Sequence, residues 1–124
     1  MSYIDGFVAP VPEGGREAYR EHARAAAAIM MEHGAARVLD AWGADVPDGV
    51  VTDFKRSVAL QAGEVVAFGW IEWPSKAARD EAWPKLMADE RLNALGMPFD
   101  GKRMIFGGFQ TLADTAAPAR TDAA

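Results

Sequence analysis

The sequence contains no cysteine, so the fold has no disulfide bond and the chemistry has no thiolate nucleophile or thiolate metal ligand. No run approaches the ~18 uninterrupted apolar residues that a membrane-spanning helix requires. The first residues, MSYIDGFV, lack the basic start and the apolar stretch of a secretory signal. We therefore expect a cytoplasmic protein with no membrane partner. The lack of cysteine is compatible with the reducing cytoplasm.

Basic residues are outnumbered, because 13 lysines and arginines stand against 18 aspartates and glutamates. They are mostly interleaved with acidic residues, as in REAYREHAR, whereas nucleic-acid binding requires a concentrated basic face. We expect no nucleic-acid partner. A chain of 124 residues suits one domain, which we place at residues 1–112. Residues 113–124 lack large apolar side chains and are predicted to form a flexible tail.

Hydrophobic periodicity predicts two successive strand–helix–strand units. Strands are expected at 3–11, 35–46, 65–73 and 102–112, with helices at 16–33 and after Ser75, which can cap the second helix. Pro84 lies inside the second helical pattern and predicts a kink or a break. The segment Phe54–Leu60 could be a short additional strand. Two such units usually interleave, so we predict an α+β, ferredoxin-like βαββαβ fold in which a four-stranded antiparallel sheet carries both helices on one face.

The stretch GMPFDGKR, at residues 96–103, resembles a Walker A phosphate loop. Such a loop must follow a strand and begin a helix, because the helix N-terminus holds the phosphate. Here Gly96 is expected to end a helix and Lys102 to begin a strand, and Arg103 replaces the serine or threonine that would hold magnesium. The stretch is therefore predicted to be a helix end followed by an Asp100-Gly101 turn.

The predicted third and fourth strands are apolar on both sides. Phe68, Trp70 and Glu72 alternate with Ala67, Gly69, Ile71 and Trp73, so neither side is a clean solvated face. Two helices cover one face, and a second copy of the sheet is the simplest cover for the other. We expect a homodimer that packs through its sheet faces.

Five stretches, YIDGFVAPVP, REAYREHA, DAWGADVPDGVVTDF, WIEWPSKAARD and MPFDGKRMIFGGF, resemble the signature blocks of the YbaA-like bacterial family. The resemblance covers about Tyr3 to about Leu112, although Pro84 and the alanines at 25–28 depart from the pattern. It implies the dimeric α/β-barrel superfamily of ferredoxin-like domains and a dimer whose sheets form a barrel. It implies no established reaction. The wider superfamily includes cofactor-free monooxygenases and isomerases, which is a weak argument for function.

Three residues are candidates for acid–base chemistry. Asp5 and Glu72 are carboxylates in apolar runs, and burial would raise their pKa values toward those of useful acids or bases. His22 lies beside the apolar stripe of the first helix and could reach a pocket. The alternative is that each carboxylate lies at a strand end or pairs with a basic residue such as Arg37 or Arg103. Structural ion pairs account for many such positions.

Aromatic side chains could line a pocket for a flat hydrophobic ligand, or could form core and dimer interface. The candidate ligand-binding residues are Tyr3, Trp42, Phe68, Trp70, Arg103 and Phe106. His22 and His33 are the only histidines and lie too far apart on one helix to share an ion, so we expect no metal site and no cofactor. The leading hypothesis is a small homodimer that binds a hydrophobic or aromatic metabolite in its barrel. The competing hypothesis is a cofactor-independent monooxygenase or isomerase that uses Asp5 or Glu72 as base with His22 assisting.

Overall fold

The computed structural model describes residues 1–119, and its centre is a four-stranded antiparallel sheet. In chain order the strands are β1 (Tyr3–Pro12), β2 (Arg37–Trp42), β3 (Glu64–Trp73) and β4 (Ile105–Gln110). The helices are α1 (Arg16–Glu32), α2 (Phe54–Ser57), α3 (Lys76–Ala88) and α4 (Glu90–Leu95), with a 3-10 turn at Glu13–Gly15. The strand order β2-β3-β1-β4 is that of the ferredoxin-like βαββαβ fold, so the predicted α+β fold is confirmed.

The main core lies between the sheet and helices α1 and α3. Ile71 and Trp73 of β3 pack against Ile29 of α1 and Leu86 of α3. These side chains alternate along β3 with Phe68, Trp70 and Glu72, which point to the other face, as the sequence pattern predicted. A second cluster joins Val11, Tyr19 and Ala67 near the start of α1.

The segment Phe54–Leu60, which the sequence left open as a possible additional strand, is not a strand. Its first half is the helix α2, because the Asp53 carboxylate accepts the backbone N–H of Arg56 at 2.7 Å and caps the turn. Val58 is buried against Val8 and Val66 on the sheet face opposite α1 and α3. The segment therefore covers one end of the second sheet face and adds no edge strand.

Two strands are shorter than predicted. β2 ends at Trp42, before the turn-rich sequence of residues 43–49, and β4 begins only at Ile105. The residues before β4 form a turn in which the Asp100 carboxylate accepts the backbone N–H of Lys102 at 3.0 Å and Nε of Arg103 at 3.0 Å. Helix α4 ends before this turn and β4 follows it, so the chain order excludes a Walker A loop.

Helix α3 continues through Pro84 and is not broken there. The helical segment is interrupted at Asp89, whose ψ of 113° leaves the helical region and whose carboxylate caps α4 by accepting the N–H of Arg91 at 2.9 Å. Ser75 caps α3 as predicted, since its hydroxyl accepts the N–H of Ala78 at 3.1 Å. Of the predicted tail, residues 113–119 contain no helix or strand, and residues 120–124 lie outside the described part.

Candidate functional site

A cleft of about 390 Å³ opens between α1 and the edge strand β2. Strand alternation directs Val38, Asp40 and Trp42 of β2 toward α1. Small alanines on the facing side of α1, Ala23 and Ala27, leave room between the helix and the strand. The cleft is therefore an opening between sheet and helix whose lining combines apolar side chains with one carboxylate and three arginines of α1, Arg16, Arg20 and Arg24.

A tyrosine and an aspartate form the polar centre of this cleft. The Tyr19 hydroxyl donates to Oδ1 of Asp40 at 3.1 Å. Burial raises the pKa of Asp40, although the hydrogen bond from Tyr19 lowers it in part. Burial and the neighbouring Asp40 charge raise the pKa of Tyr19. The Tyr19 ring is held between Trp42 and Phe99, with ring centroids 6.0 and 6.1 Å away, so the hydroxyl has a fixed position.

His22 lies one helical turn beyond Tyr19 on α1, and the Asp40 carboxylate affects its pKa as well. Burial lowers the pKa of His22, and the Asp40 charge raises it in part. Its Nδ1 atom is buried and, among residues 1–119, has no hydrogen-bond partner. The environment thus favours a neutral imidazole and disfavours a charged Asp40 in the same region.

A second, apolar groove of about 510 Å³ lies on the sheet face that α1 and α3 leave uncovered. Its lining includes Phe68 and Trp70 of β3 and Ile105 and Phe109 of β4. Phe68, Ile105 and Phe109 are 39%, 45% and 62% exposed. Phe54 of α2 packs edge-on against Phe68 with centroids 5.9 Å apart. We call this groove and its rim the open sheet face.

The three candidate catalytic residues lie in three different places. Asp5 is buried under α3, where its carboxylate accepts hydrogen bonds from Trp73, Trp83 and Arg79. Glu72 lies on the open sheet face and accepts Nε1 of Trp70 at 2.8 Å. His22 is not part of the cleft lining, but it is close enough to Asp40 for that carboxylate to affect its pKa.

The candidate ligand-binding residues also divide among several places. Phe68, Trp70 and Phe106 line the apolar groove together, whereas Trp42 lines the α1–β2 cleft. The Tyr3 ring lies under the Arg79 guanidinium, 5.2 Å from the ring centroid. Arg103 is held by Glu64 through two hydrogen bonds of 2.7 and 2.6 Å, at the start of β3.

Sequence reasoning missed the pairing of Tyr19 with Asp40. By sequence pattern alone Tyr19 belongs to the apolar stripe of the first helix, and Asp40 is one of several polar residues on the predicted strands. The available signal was that Asp40 shares a strand face with Val38 and Trp42, which makes it a carboxylate on a face directed at a helix. Its partner could not be identified without knowing which turn of α1 crosses β2.

Within residues 1–119 no cluster of three or more histidine, aspartate or glutamate side chains is placed to hold a metal ion. In the same range no helix has the length and apolar character required to cross a bilayer.

Comparison with known proteins identifies relatives along almost the whole chain. Residues 2–101 match the family model described as a protein of unknown function, DUF1428. The chain is 52% identical over 116 residues to the uncharacterised protein YbaA of Escherichia coli K12, which covers 92% of this chain and 99% of the relative. The YbaA protein of Shigella flexneri matches equally well.

The fold is similar to that of Rv0793 from Mycobacterium tuberculosis, with a TM-score of 0.52. The match covers 94% of this chain and all of the Rv0793 chain at 12% sequence identity. At that identity the likeness supports the α+β fold and carries no information about activity.

Proposed function

We propose that this chain, which belongs to the DUF1428 family of proteins of unknown function, binds a small molecule with a hydrophobic or aromatic part in the cleft between α1 and β2. The single observation that carries the proposal is the Tyr19–Asp40 hydrogen bond at the centre of a cleft of about 390 Å³. Ligand sites typically combine such a volume with an apolar lining and a few placed polar groups. The proposed site lies between sheet and helix, and not at the apolar groove that Phe68, Trp70 and Phe106 line.

The test is a thermal-shift screen of the purified protein against aromatic and quinone-like metabolites, because a ligand of the native state raises its stability by mass action. The variant Ala27→Trp fills the cleft, and the matched control Ala28→Trp places the same side chain on an exposed neighbouring position of α1. Ligands that stabilise the parent and Ala28→Trp but not Ala27→Trp would support the proposal. Ligands that stabilise all three proteins equally would place binding elsewhere and overturn it.

A second candidate function is acid–base catalysis in the same cleft, of the kind an isomerase or a cofactor-independent monooxygenase requires. The favouring observation is that Asp40 has a raised pKa and His22 a lowered one, which brings their proton affinities toward each other. Asp40 is a better candidate base than Asp5, since the Asp5 carboxylate is already occupied by one arginine and two tryptophans. If a bound metabolite is turned over, Asp40→Asn should abolish turnover and preserve binding, whereas Tyr3→Phe should preserve both.

We also propose that the protein is a cytoplasmic homodimer joined through the open sheet face. Three large apolar side chains on that face, Phe68, Ile105 and Phe109, are 39% to 62% exposed in one chain. Arg37 and Glu72 are direct neighbours on adjacent strands of the same face and supply opposite charges for a two-fold contact. An exposed apolar surface next to an arginine and a glutamate suits a second copy of the same surface, because two-fold symmetry brings each charge near its opposite in the partner. We therefore favour a second copy over other binding partners.

A further inference from the structure

The α1 side of the cleft carries three arginines at successive helical turns. Arg16, Arg20 and Arg24 all line the cleft, and their four-residue spacing places them along one side of α1 over roughly 12 Å. We call these residues the arginine row. The acidic residues of the same helix, Glu17 and Glu21 among them, are not part of the lining.

The arginine row differs from most other arginines in its lack of close carboxylate partners. Arg79 and Arg103 form ion pairs at 2.9 and 2.6 Å with Asp5 and Glu64. Within residues 1–119, Arg16 and Arg24 pair with no carboxylate, and Arg20 reaches Glu17 only at 3.7 Å. Although the protein has a net charge of −5, one wall of the cleft thus carries two arginines that have no carboxylate partner within the described residues and a third whose partner is 3.7 Å away.

The opposite wall of the cleft carries one carboxylate, Asp40, and the Tyr19 hydroxyl donates a hydrogen bond to it at 3.1 Å. Since three arginines and one carboxylate line the cleft, its lining has a surplus of positive charge. The remaining residues of that wall, Val38, Ala41 and Trp42, are apolar. The cleft therefore carries arginines along the α1 side, and along the β2 side it has apolar side chains around one carboxylate.

We infer that the ligand of this cleft is an amphipathic oxyanion, with a carboxylate, sulfonate or phosphate bound by the arginine row and a flat apolar body packed against Trp42. The inference rests on the proposed function and adds the ligand class. Guanidinium groups suit oxyanions because their planar donors match two oxygens at once. The ring of Trp42 suits a flat apolar body because stacked aromatic surfaces remove the largest apolar area from water.

Two dyes that share their rings and differ in charge test the inference. They are 8-anilinonaphthalene-1-sulfonate, which carries one sulfonate, and the neutral N-phenyl-1-naphthylamine. Both dyes also bind exposed apolar surfaces outside the cleft. We therefore define cleft-specific binding as the dye fluorescence that is lost in Ala27→Trp and retained in Ala28→Trp. We expect cleft-specific binding of the sulfonate to be about tenfold tighter than that of the neutral dye, and to weaken with added salt.

Removal of the charge should weaken the anionic dye selectively. Arg20→Gln/Arg24→Gln is expected to weaken sulfonate binding about fivefold to tenfold and to leave the neutral dye unchanged. The control Lys85→Gln/Lys102→Gln makes the same change of net charge at exposed positions on α3 and before β4, outside the cleft lining, and should behave as the parent. Arg24→Lys keeps the charge but not the planar pair of donors, so it should retain only part of the binding that Arg24→Gln loses.

The outcomes separate the inference from the proposed function. Equal cleft-specific affinity for both dyes, or equal effects of the arginine and lysine double variants, would overturn the inference and leave a neutral-ligand cleft standing. If Ala27→Trp removes neither dye, the proposed site fails and the inference fails with it. Circular dichroism of each variant confirms that losses of binding do not reflect unfolding.

Discussion

Asp5 is placed to hold α3 against the sheet, and its replacement by alanine should reveal how strongly. The Asp5 carboxylate accepts Nε1 of Trp73 at 2.9 Å and Nε1 of Trp83 at 2.9 Å. It also accepts Nε of Arg79 at 3.1 Å and Nη2 of Arg79 at 2.9 Å. One side chain of β1 therefore joins the end of β3 to two turns of α3.

The magnitude follows from what the variant leaves behind. In Asp5→Ala the N–H of Trp73 loses its partner in a fully buried position, 0% exposed, and an unsatisfied buried donor costs about 1–3 kcal/mol. Arg79 is partly exposed and keeps Asp80 as a partner, so it recovers part of its loss. Breaking one side of a buried ion pair costs about 3–5 kcal/mol, and we expect the total within that range. For a domain of this size the melting temperature should fall by about 10–20 °C.

Urea unfolding followed by tryptophan fluorescence, at fixed protein concentration, measures this loss. Asp5→Asn separates charge from volume. The amide keeps the shape, but it replaces one accepting oxygen with an NH2 group among four donors and removes the charge, so it should lose nearly as much stability as alanine. Asp80→Ala is the matched control, since Asp80 also contacts Arg79 but is exposed, and it should unfold close to the parent. If Asp5→Ala and Asp5→Asn both unfold within about 1 kcal/mol of the parent, the network does not hold α3 in place and the reasoning fails.

Three further predictions follow from the core, an ion pair and the open sheet face. Leu86→Ala should cost about 2–5 kcal/mol of unfolding free energy because Leu86 is 0% exposed, whereas Leu95→Ala, at a site 37% exposed, should cost far less; equal losses would contradict the core assignment. The hydrogen bonds from Arg103 lower the pKa of Glu64 from 4.5 to about 2, so the pair stabilises the fold above pH 4.5 and this contribution is lost as the pH falls toward 2. Glu64→Gln should therefore melt below the parent at pH 7, with the gap closing as the pH falls from 4.5 to 2, and a gap independent of pH would refute the linkage. Phe68→Glu should lower the mass measured by light scattering from that of a dimer, twice 13.3 kDa, to that of a monomer, 13.3 kDa. Met31→Glu, at a similarly exposed site on α1, should remain a dimer. A monomeric parent would refute the proposed dimer.

Much of the fold was predictable because local patterns and long-range packing agree. The period-two alternation around Phe68–Trp73 identifies β3 and its two faces, and Ser75 marks the start of α3. Predictions failed where a single side chain decided the local structure. Asp53 turns the next residues into a helix by capping it, and Asp100 delays β4 by holding a turn. Such caps depend on side-chain hydrogen bonds that a hydrophobic pattern does not record.

The candidate site was harder to predict, since its members lie on different elements. His22 was identified from its position beside the stripe of α1. Asp5 and Glu72 were selected because carboxylates are unusual in apolar strands, but their partners, Arg79 and Trp70, were not identifiable from spacing alone.

The sequence by itself determined the order of the four strands and the two main helices, the absence of thiol chemistry and the apolar character of both sheet faces. These properties follow from composition and local periodicity, which each stretch of chain carries independently of the others. The tertiary structure decided which polar groups meet: Tyr19 with Asp40 in the cleft, and Asp5 with Arg79 under α3. Those pairings join residues 21 and 74 positions apart, so they depend on helix placement and strand register.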